Sequence, residues 1–284
     1  MYQYLKESSL APLLIQAQKN VFSFFSGDNT TLFKGSGSDF MELREYVTGD
    51  DIKHIDWIIS SKMDKPYVKI FHEEKEHNIL FVPLLSASLN FGVKKLKFDT
   101  LKETLALLGF SCIKQQDPFE SYSYTQTLQH TTKRTKDVVY LREMLEEIEK
   151  TPLLEKSVAY KNLANALFKR VQSPSIIFLI GDFLNAENLN TSLLAVKHEV
   201  IVILIRDRFE EEPSTLGEIN ITDPQTLENA TVNLDKKAAL KIKTKQLKDD
   251  TKLLAKLQKD GIRYLKIYTD DVVYEKLFTF MSHR

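Results

Sequence analysis

The sequence predicts an α/β protein, built as a doubly wound, mostly parallel sheet flanked by helices, with a β-rich appendage in front of it. Three observations carry that prediction. Continuous apolar runs at residues 79–85, 176–180 and 200–205 have the length and unbroken hydrophobicity of strands covered on both faces. Stretches with helical spacing separate them, and strands alternating with helices are the signature of parallel crossover units. Residues 21–76 have a different texture, rich in Phe, Tyr, Gly and Asp.

Taken in order, residues 1–20 read as a short amphipathic helix. Their apolar patch is broken by Ser8, Ser9 and Gln16, and they lack the basic leader and small-residue cleavage site of a secretory signal. In residues 21–76, turn signals at Ser26-Gly27-Asp28-Asn29 and Thr48-Gly49-Asp50-Asp51 separate short runs. Residues 40–46 and 67–71 read as strands, and the segment is expected to contain one tight hairpin. Residues 77–284 form the α/β domain. Its helices show in Phe98, Leu101, Leu105 and Leu108, in Val138, Leu141, Leu145 and Ile148, and in Tyr160, Leu163, Leu167 and Val171. A weaker strand, residues 262–267, follows Gly261, a helix-ending residue type.

Composition narrows the function. Lys+Arg and Asp+Glu both number 39, so bulk charge draws the chain neither to nucleic acid nor to an anionic membrane. No apolar run approaches the roughly 18 residues of a membrane span, and the cytoplasm is the expected location. The single cysteine, Cys112, lies within an apolar run and reads as a core residue, which excludes paired-cysteine zinc sites. Lysine-rich residues 235–259 read as the solvated face of a surface helix rather than a nucleic-acid recognition helix, since Asp249, Asp250 and Asp260 interrupt them.

Several groups of residues resemble sites for chemistry. His72 and His77 are five apart, which puts them about 140° apart on a helix, so they do not form a zincin pair. Gly35-Ser36-Gly37-Ser38 lacks the residues that complete a phosphate loop. His54 and Asp56 have no signalled nucleophile. The stronger signal is Ser86-Ala87-Ser88 at the end of one buried strand, with Gly181-Asp182-Phe183 at the end of another. In an open α/β sheet the carboxyl ends of neighbouring strands form the ligand crevice, and two hydroxyls with a carboxylate are hard-oxygen ligands suited to Mg²⁺.

These residues belong to a longer series. Gly35-Ser36-Gly37-Ser38-Asp39-Phe40, Glu42-Leu43-Arg44-Glu45-Tyr46, Gly49-Asp50-Asp51-Ile52, Ile55-Asp56-Trp57, Val68-Lys69, Glu74, Leu85-Ser86-Ala87-Ser88, Gly181-Asp182-Phe183 and Ile221-Thr222-Asp223-Pro224 follow one another in an order that resembles domain-of-unknown-function family fifty-eight. That family is a bacterial branch of the von Willebrand factor A-like proteins. The resemblance implies a partnership with a MoxR-type AAA+ ATPase and a role in maturation or assembly of other proteins. It also implies a metal-ion-dependent adhesion site patterned Asp-x-Ser-x-Ser, with a distant Thr and a later Asp.

Placed on that pattern, Ser86 and Ser88 match the serines and Asp182 the later aspartate, but Leu84 stands at the leading aspartate and Lys161 at the threonine. Mg²⁺ needs anionic oxygens, and Leu84 offers none. Lys161 would repel a cation and could pair with Asp182. The site is therefore expected to hold no metal and the chain to be a non-enzymatic adaptor. The other reading of the site is a weak Mg²⁺ site completed by another carboxylate such as Asp207, and the alternative function is a metal-dependent enzyme using the crevice at Ser86, Ser88 and Asp182. Pro83, just before the lost aspartate, belongs at a strand end. Arg44, Glu45, Tyr46, Gly49, Asp50, Asp51, Asp56 and Trp57 are read as an ion-pair and aromatic latch or a partner surface. In that latch Trp57 and Ile55 are expected to be buried, with Asp50 or Asp51 capping a short helix.

Overall fold

The apolar runs become the middle of a six-stranded sheet. The structure, a computed structural model, describes residues 10–25, 40–63, 65–71 and 77–282. In chain order it contains α1 (Ala11–Phe25), β1 (Phe40–Glu45), α2 (Trp57–Met63), β2 (Tyr67–Phe71), β3 (Ile79–Pro83), α3 (Lys97–Gln115), β4 (Phe119–Tyr124) and β5 (Leu128–Thr135). There follow α4 (Val138–Lys150), α5 (Tyr160–Arg170), β6 (Ile176–Gly181), α6 (Ser192–Ala195), β7 (Glu199–Arg206) and α7 (Arg208–Glu211). The chain continues with β8 (Gly217–Thr222), β9 (Asn229–Leu234), α8 (Lys236–Lys259), β10 (Arg263–Tyr268) and α9 (Val273–Ser282). Two units result, Phe33–His77 and the combination of Met1–Leu32 with Asn78–Arg284.

In the larger unit the strand order is β10-β7-β6-β3-β4-β5, and every neighbouring pair is parallel except β4 with β5. The sheet is mostly parallel and helices flank it. Alternation along each strand assigns side chains to opposite faces. Leu80, Val82 and Leu84 join Ile177, Leu179, Val202 and Leu204 in a core closed by Leu163 and Leu167 of α5 and Leu253 and Leu257 of α8. Phe81 points the other way and meets Phe119 and Phe178, at ring distances of 5.6 and 5.9 Å. On its own, each buried leucine of this kind contributes about 2 kcal/mol of transfer free energy. Pro83 sits at the end of β3, where the missing N–H costs no interior ladder bond.

The N-terminal helix runs to Phe25, beyond the expected boundary at residue 20. Its apolar stripe packs on α3, and Phe24 stacks on Phe278 of α9 at 4.4 Å. Residues 235–259 form one long helix, capped where the Asp235 carboxylate accepts the Ala238 N–H. The buried positions of α8 are Ala239, Asp250, Leu253 and Leu257, and most of its lysines lie on the exposed face. None of the described helices is long and apolar enough to cross a membrane.

In the smaller unit β1 and β2 pair antiparallel, as two strands were expected to form there. They are not a tight hairpin. Residues 46–66 connect them through a single 3-10 turn (Ile52–His54) and α2. Asp51 caps that turn by accepting the Lys53 N–H, and Asp56 accepts the N–H groups of Ile58 and Ile59 at the start of α2. Gly49, at φ 114°, holds a backbone conformation costly for other residues. The motifs at residues 35–38 and 72–76 lie outside the described residues.

Candidate functional site

The chain winds from β3 to β4 on one side, then returns to place β6 on the other side of β3. Between the carboxyl ends of β3 and β6 lies the topological switch point, where an open α/β sheet forms its crevice. Ser86 and Ser88 leave β3 there, and Asp182 leaves β6. The backbones of the two strand ends are unusually close. A Cβ on Gly181 would stand 2.9 Å from Leu84 Cβ and 3.3 Å from its carbonyl oxygen, so only glycine fits.

The three groups predicted to share a site do so. Ser86 Oγ lies 2.9 Å from Ser88 Oγ and donates to Asp182 Oδ2 at 3.3 Å, and Ser88 Oγ donates to the same oxygen. The Leu184 N–H donates to Asp182 Oδ1 at 3.3 Å. Leu84 is buried in the core with Tyr124, Tyr160 and Phe183, so hydrocarbon fills the position where the resemblance implied a carboxylate.

One expectation is overturned. Lys161 is solvent-exposed at the start of α5, and the cation that reaches Asp182 is Lys97. Lys97 Nζ lies 3.4 Å from Asp182 Oδ2 and 2.5 Å from Glu210 Oε1, with its side chain fully buried. It also stands 5.9 Å from the centroid of the Phe91 ring. The physical reason is helical phase: the first side chain of α3, Lys97, enters the crevice, whereas the inward-facing side chain at the start of α5 is Tyr160, and Lys161, one position on, turns to solvent. Burial raises the Glu210 carboxyl above the ordinary carboxylate range, and attraction to Lys97 only partly offsets this.

Asp207 follows β7 and completes the surroundings without pointing at an open position. Its Oδ2 accepts from Thr269 Oγ1 at 2.5 Å and from the Val93 N–H at 3.0 Å, and its Oδ1 accepts from the Phe209 N–H at 2.9 Å. Burial acts to raise its pKa, but these three hydrogen bonds, with Lys97 nearby, prevail and hold it below the usual value. Glu210 returns a bond by accepting the Asp207 N–H, which closes a capping box on α7.

The residues present do not fit a divalent cation. Mg²⁺ demands several oxygens in near-octahedral order, whereas the hydroxyls here converge on an oxygen that also faces an ammonium. Among the described residues, no three His, Cys, Asp or Glu side chains are grouped to hold a metal ion. Lys97, Glu210 and Thr269 were missed from sequence. The available signal was a lysine opening an apolar helix, a position where the helix dipole disfavours positive charge.

The residue 42–57 block forms an ion-paired turn. Arg44 Nη2 meets Asp50 Oδ1 at 2.6 Å, and the Val47 N–H donates to Asp50 Oδ2 at 2.9 Å, which together lower the Asp50 pKa. Glu45 pairs with Lys65 at 2.9 Å, and the Tyr46 N–H donates to the Pro66 carbonyl at 2.8 Å. Ile55 is half-buried, and the expected burial of Trp57 fails, for the indole is 66% exposed. Trp57 opens α2, a helix with no buried residue, and a two-stranded ribbon offers too little surface to cover it.

Fold and site together define the class: a mixed α/β protein with a mostly parallel sheet, whose switch point gathers two hydroxyls, carboxylates and a buried ammonium. Within that class, the chain belongs to the family described as Protein of unknown function DUF58, which matches residues 42–252. The uncharacterized proteins Mb1516 of Mycobacterium bovis and Rv1480 of Mycobacterium tuberculosis are each 24% identical over 229 residues, covering 77% of this chain and 71% of theirs. Among solved structures, the conserved hypothetical protein BatB from Bacteroides thetaiotaomicron aligns at a TM-score of 0.47 and 14% identity, covering 72% of this chain and 97% of that one. An aerotolerance-related membrane protein from Bacteroides fragilis aligns at 0.46 and 13%, with the same two coverages. At these scores neither likeness defines the fold.

Proposed function

We propose that this chain is a non-enzymatic, protein-binding adaptor of von Willebrand factor A-like type that works with a MoxR-type AAA+ ATPase in the maturation or assembly of other proteins. In this reading its adhesion site has exchanged the metal ion for Lys97. The observation that carries the proposal is the buried ammonium between Asp182 and Glu210. It fills the crevice with a cation of the protein's own, so a partner's carboxylate has no open cation to complete. Partner recognition then moves to the surface. Among the described residues of the smaller unit, Val47, Ile52, Trp57, Ile58 and Met63 are exposed large apolar side chains, which supports this reading. An exposed tryptophan among apolar neighbours is the residue type that most often anchors a protein interface. An ATP-driven partner places the work in the cytoplasm.

The test is affinity capture of the chain from its native cells, with and without EDTA, in nucleotide-bound and nucleotide-free conditions, followed by mass spectrometry. Co-purification of an AAA+ ATPase at equal yield with and without EDTA is the expected result. No ATPase in either nucleotide condition overturns the adaptor role, and capture abolished by EDTA overturns the metal-free site.

A further inference from the structure

The long helix α8 carries a second line of apolar side chains that the fold leaves uncovered. Leu240, Thr244, Leu247, Thr251 and Leu254 recur at spacings of 4, 3, 4 and 3. At roughly 100° per residue they fall within about 80° of arc, about 100° round the helix from the buried positions. Leu240 is 64% exposed and Leu247 65%, and Leu254 is half-buried against the core. The exposed threonines do not interrupt this stripe. Thr244 Oγ1 donates to the Leu240 carbonyl and Thr251 Oγ1 to the Leu247 carbonyl, both at 2.7 Å. Each hydroxyl is satisfied within the helix, so covering it with a partner loses no hydrogen bond. Toward its C-terminal end the stripe becomes one wall of a groove of about 350 Å³, where Leu247, Thr251 and Leu254 stand opposite Arg208 of α7 and Tyr268 of β10.

The charge beside the stripe has one sign. Residues 236–248 hold six lysines and no acidic residue. By helical phase Lys236 and Lys243 border the stripe on one side, and Lys237, Lys241 and Lys248 on the other. Lys243 meets Glu212 at 2.7 Å, and among the described residues the other five lysines form no ion pair. Lys237, Lys241 and Lys245 follow one another at intervals of 4, where like charges destabilise a helix. Carboxylates brought by a partner relieve that repulsion while its apolar side chains cover the leucines.

We propose that this face of α8 docks an amphipathic helix of a partner protein, with an apolar contact line bordered on both sides by Asp or Glu. The apolar line lies along Leu240, Leu247 and Leu254, and the carboxylates meet the bordering lysines. The stripe has the narrow width of a helix–helix seam rather than of a core face. It holds no Trp or Phe, which helices lying in a lipid surface carry on their apolar side. Binding to a nucleic-acid backbone rests on charge and leaves exposed leucines without a use. The surface is separate from the Ser86–Asp182–Lys97 cluster and from Trp57. It does not rest on the adaptor reading, so either can fail alone.

The probe is a labelled synthetic helical peptide of about 18 residues, longer than the roughly 21 Å from Leu240 to Leu254. It carries leucines at the same spacing, glutamates bordering them and alanines behind, and a second peptide has glutamines in place of the glutamates. Fluorescence anisotropy with the full chain at low salt is expected to show saturable binding of the glutamate peptide, at least about tenfold tighter than that of the glutamine peptide. Leu240→Ser/Leu247→Ser should weaken it by about tenfold and Lys241→Glu/Lys248→Glu by about fivefold. All four positions are exposed, and circular dichroism checks that both variants stay folded. The proposal is overturned if the glutamate peptide does not bind, if the two peptides bind equally, or if either folded variant binds as tightly as wild type. Phosphatidylglycerol vesicles or a DNA duplex that bind the chain more tightly than the glutamate peptide does also overturn it, in favour of a membrane or nucleic acid.

Discussion

Lys97 Nζ lies 2.5 Å from Glu210 Oε1, although 113 residues separate the two and Lys97 occupies the first turn of a helix. A cation at a helix N-terminus is opposed by the macrodipole, and a fully buried one is opposed by lost hydration as well. The carboxylates of Glu210 and Asp182 are what hold it there. Removing it leaves them buried without their counter-charge.

Lys97→Met is therefore expected to lower stability at pH 7.5 by about 3–5 kcal/mol, the scale for breaking one side of a buried ion pair. Urea denaturation measures this. The penalty should shrink as pH falls, because Glu210 already titrates above the ordinary carboxylate range and protonation relieves the uncompensated charge. A penalty that is constant with pH would show that lost packing, not charge, is responsible.

On the proposed adhesion-site reading, cation binding should arise only when two changes are combined. Leu84→Asp supplies a carboxylate but leaves the ammonium in place. Leu84→Asp/Lys97→Ser supplies the carboxylate and vacates the ammonium's position, and should bind Mn²⁺ at least about tenfold tighter than either single variant. Lys161→Thr, at an exposed position, should add nothing. Calorimetric titration with Mn²⁺ decides, and equal affinity in all variants would mean that the cluster is not a remnant of a cation site.

His198 gives the chain an acid-sensitive element. It is buried, neither ring nitrogen has a hydrogen-bond partner, and burial, helped by Lys197, lowers its pKa. The folded state therefore prefers the neutral ring. That contribution is intact above the unfolded value of about 6.5 and is lost as pH falls through the lower folded value. Between pH 7.5 and 5.5 the wild type should lose more stability than His198→Phe, as read from denaturation midpoints. Parallel curves would remove His198 as the cause.

Gly181→Ala tests the closeness of β3 and β6. The new methyl meets Leu84 Cβ at 2.9 Å, an atom fixed to the backbone that cannot swing away. A loss of about 1–3 kcal/mol is expected from overpacking. A thermal melt unchanged from wild type would mean that the strand ends separate easily.

Trp57→Ser separates stability from recognition. An indole two-thirds exposed should contribute little to folding, so the denaturation midpoint should move by no more than about 0.5 kcal/mol. Capture of the ATPase should fall by at least about tenfold if the indole anchors the contact. Undiminished capture would move the partner surface elsewhere.

Local physics made much of this protein legible in its sequence. Unbroken apolar runs have one low-energy use, as strands covered on both faces, and the spacing of Phe98, Leu101, Leu105 and Leu108 has one face to bury. Those rules determined β3, β6, β7 and α3, placed Pro83 at a strand end, and brought Ser86, Ser88 and Asp182 to neighbouring carboxyl ends. That Leu84 offers no oxygen to a cation was plain from its chemistry. What the sequence could not decide is which distant side chains meet in the crevice. Lys97 and Lys161 both lie in the first turn of a helix, Lys97 as its first residue and Lys161 as its second. The tertiary arrangement separates them, because the first side chain of α3 enters the crevice, whereas Tyr160 takes the inward position of α5 and leaves Lys161 in solvent. Arg206 follows the same logic. A charged residue ending a buried strand is visible in the chain, but its partner Asp250 reaches the guanidinium only because α8, folded back from a distant part of the sequence, brings it there.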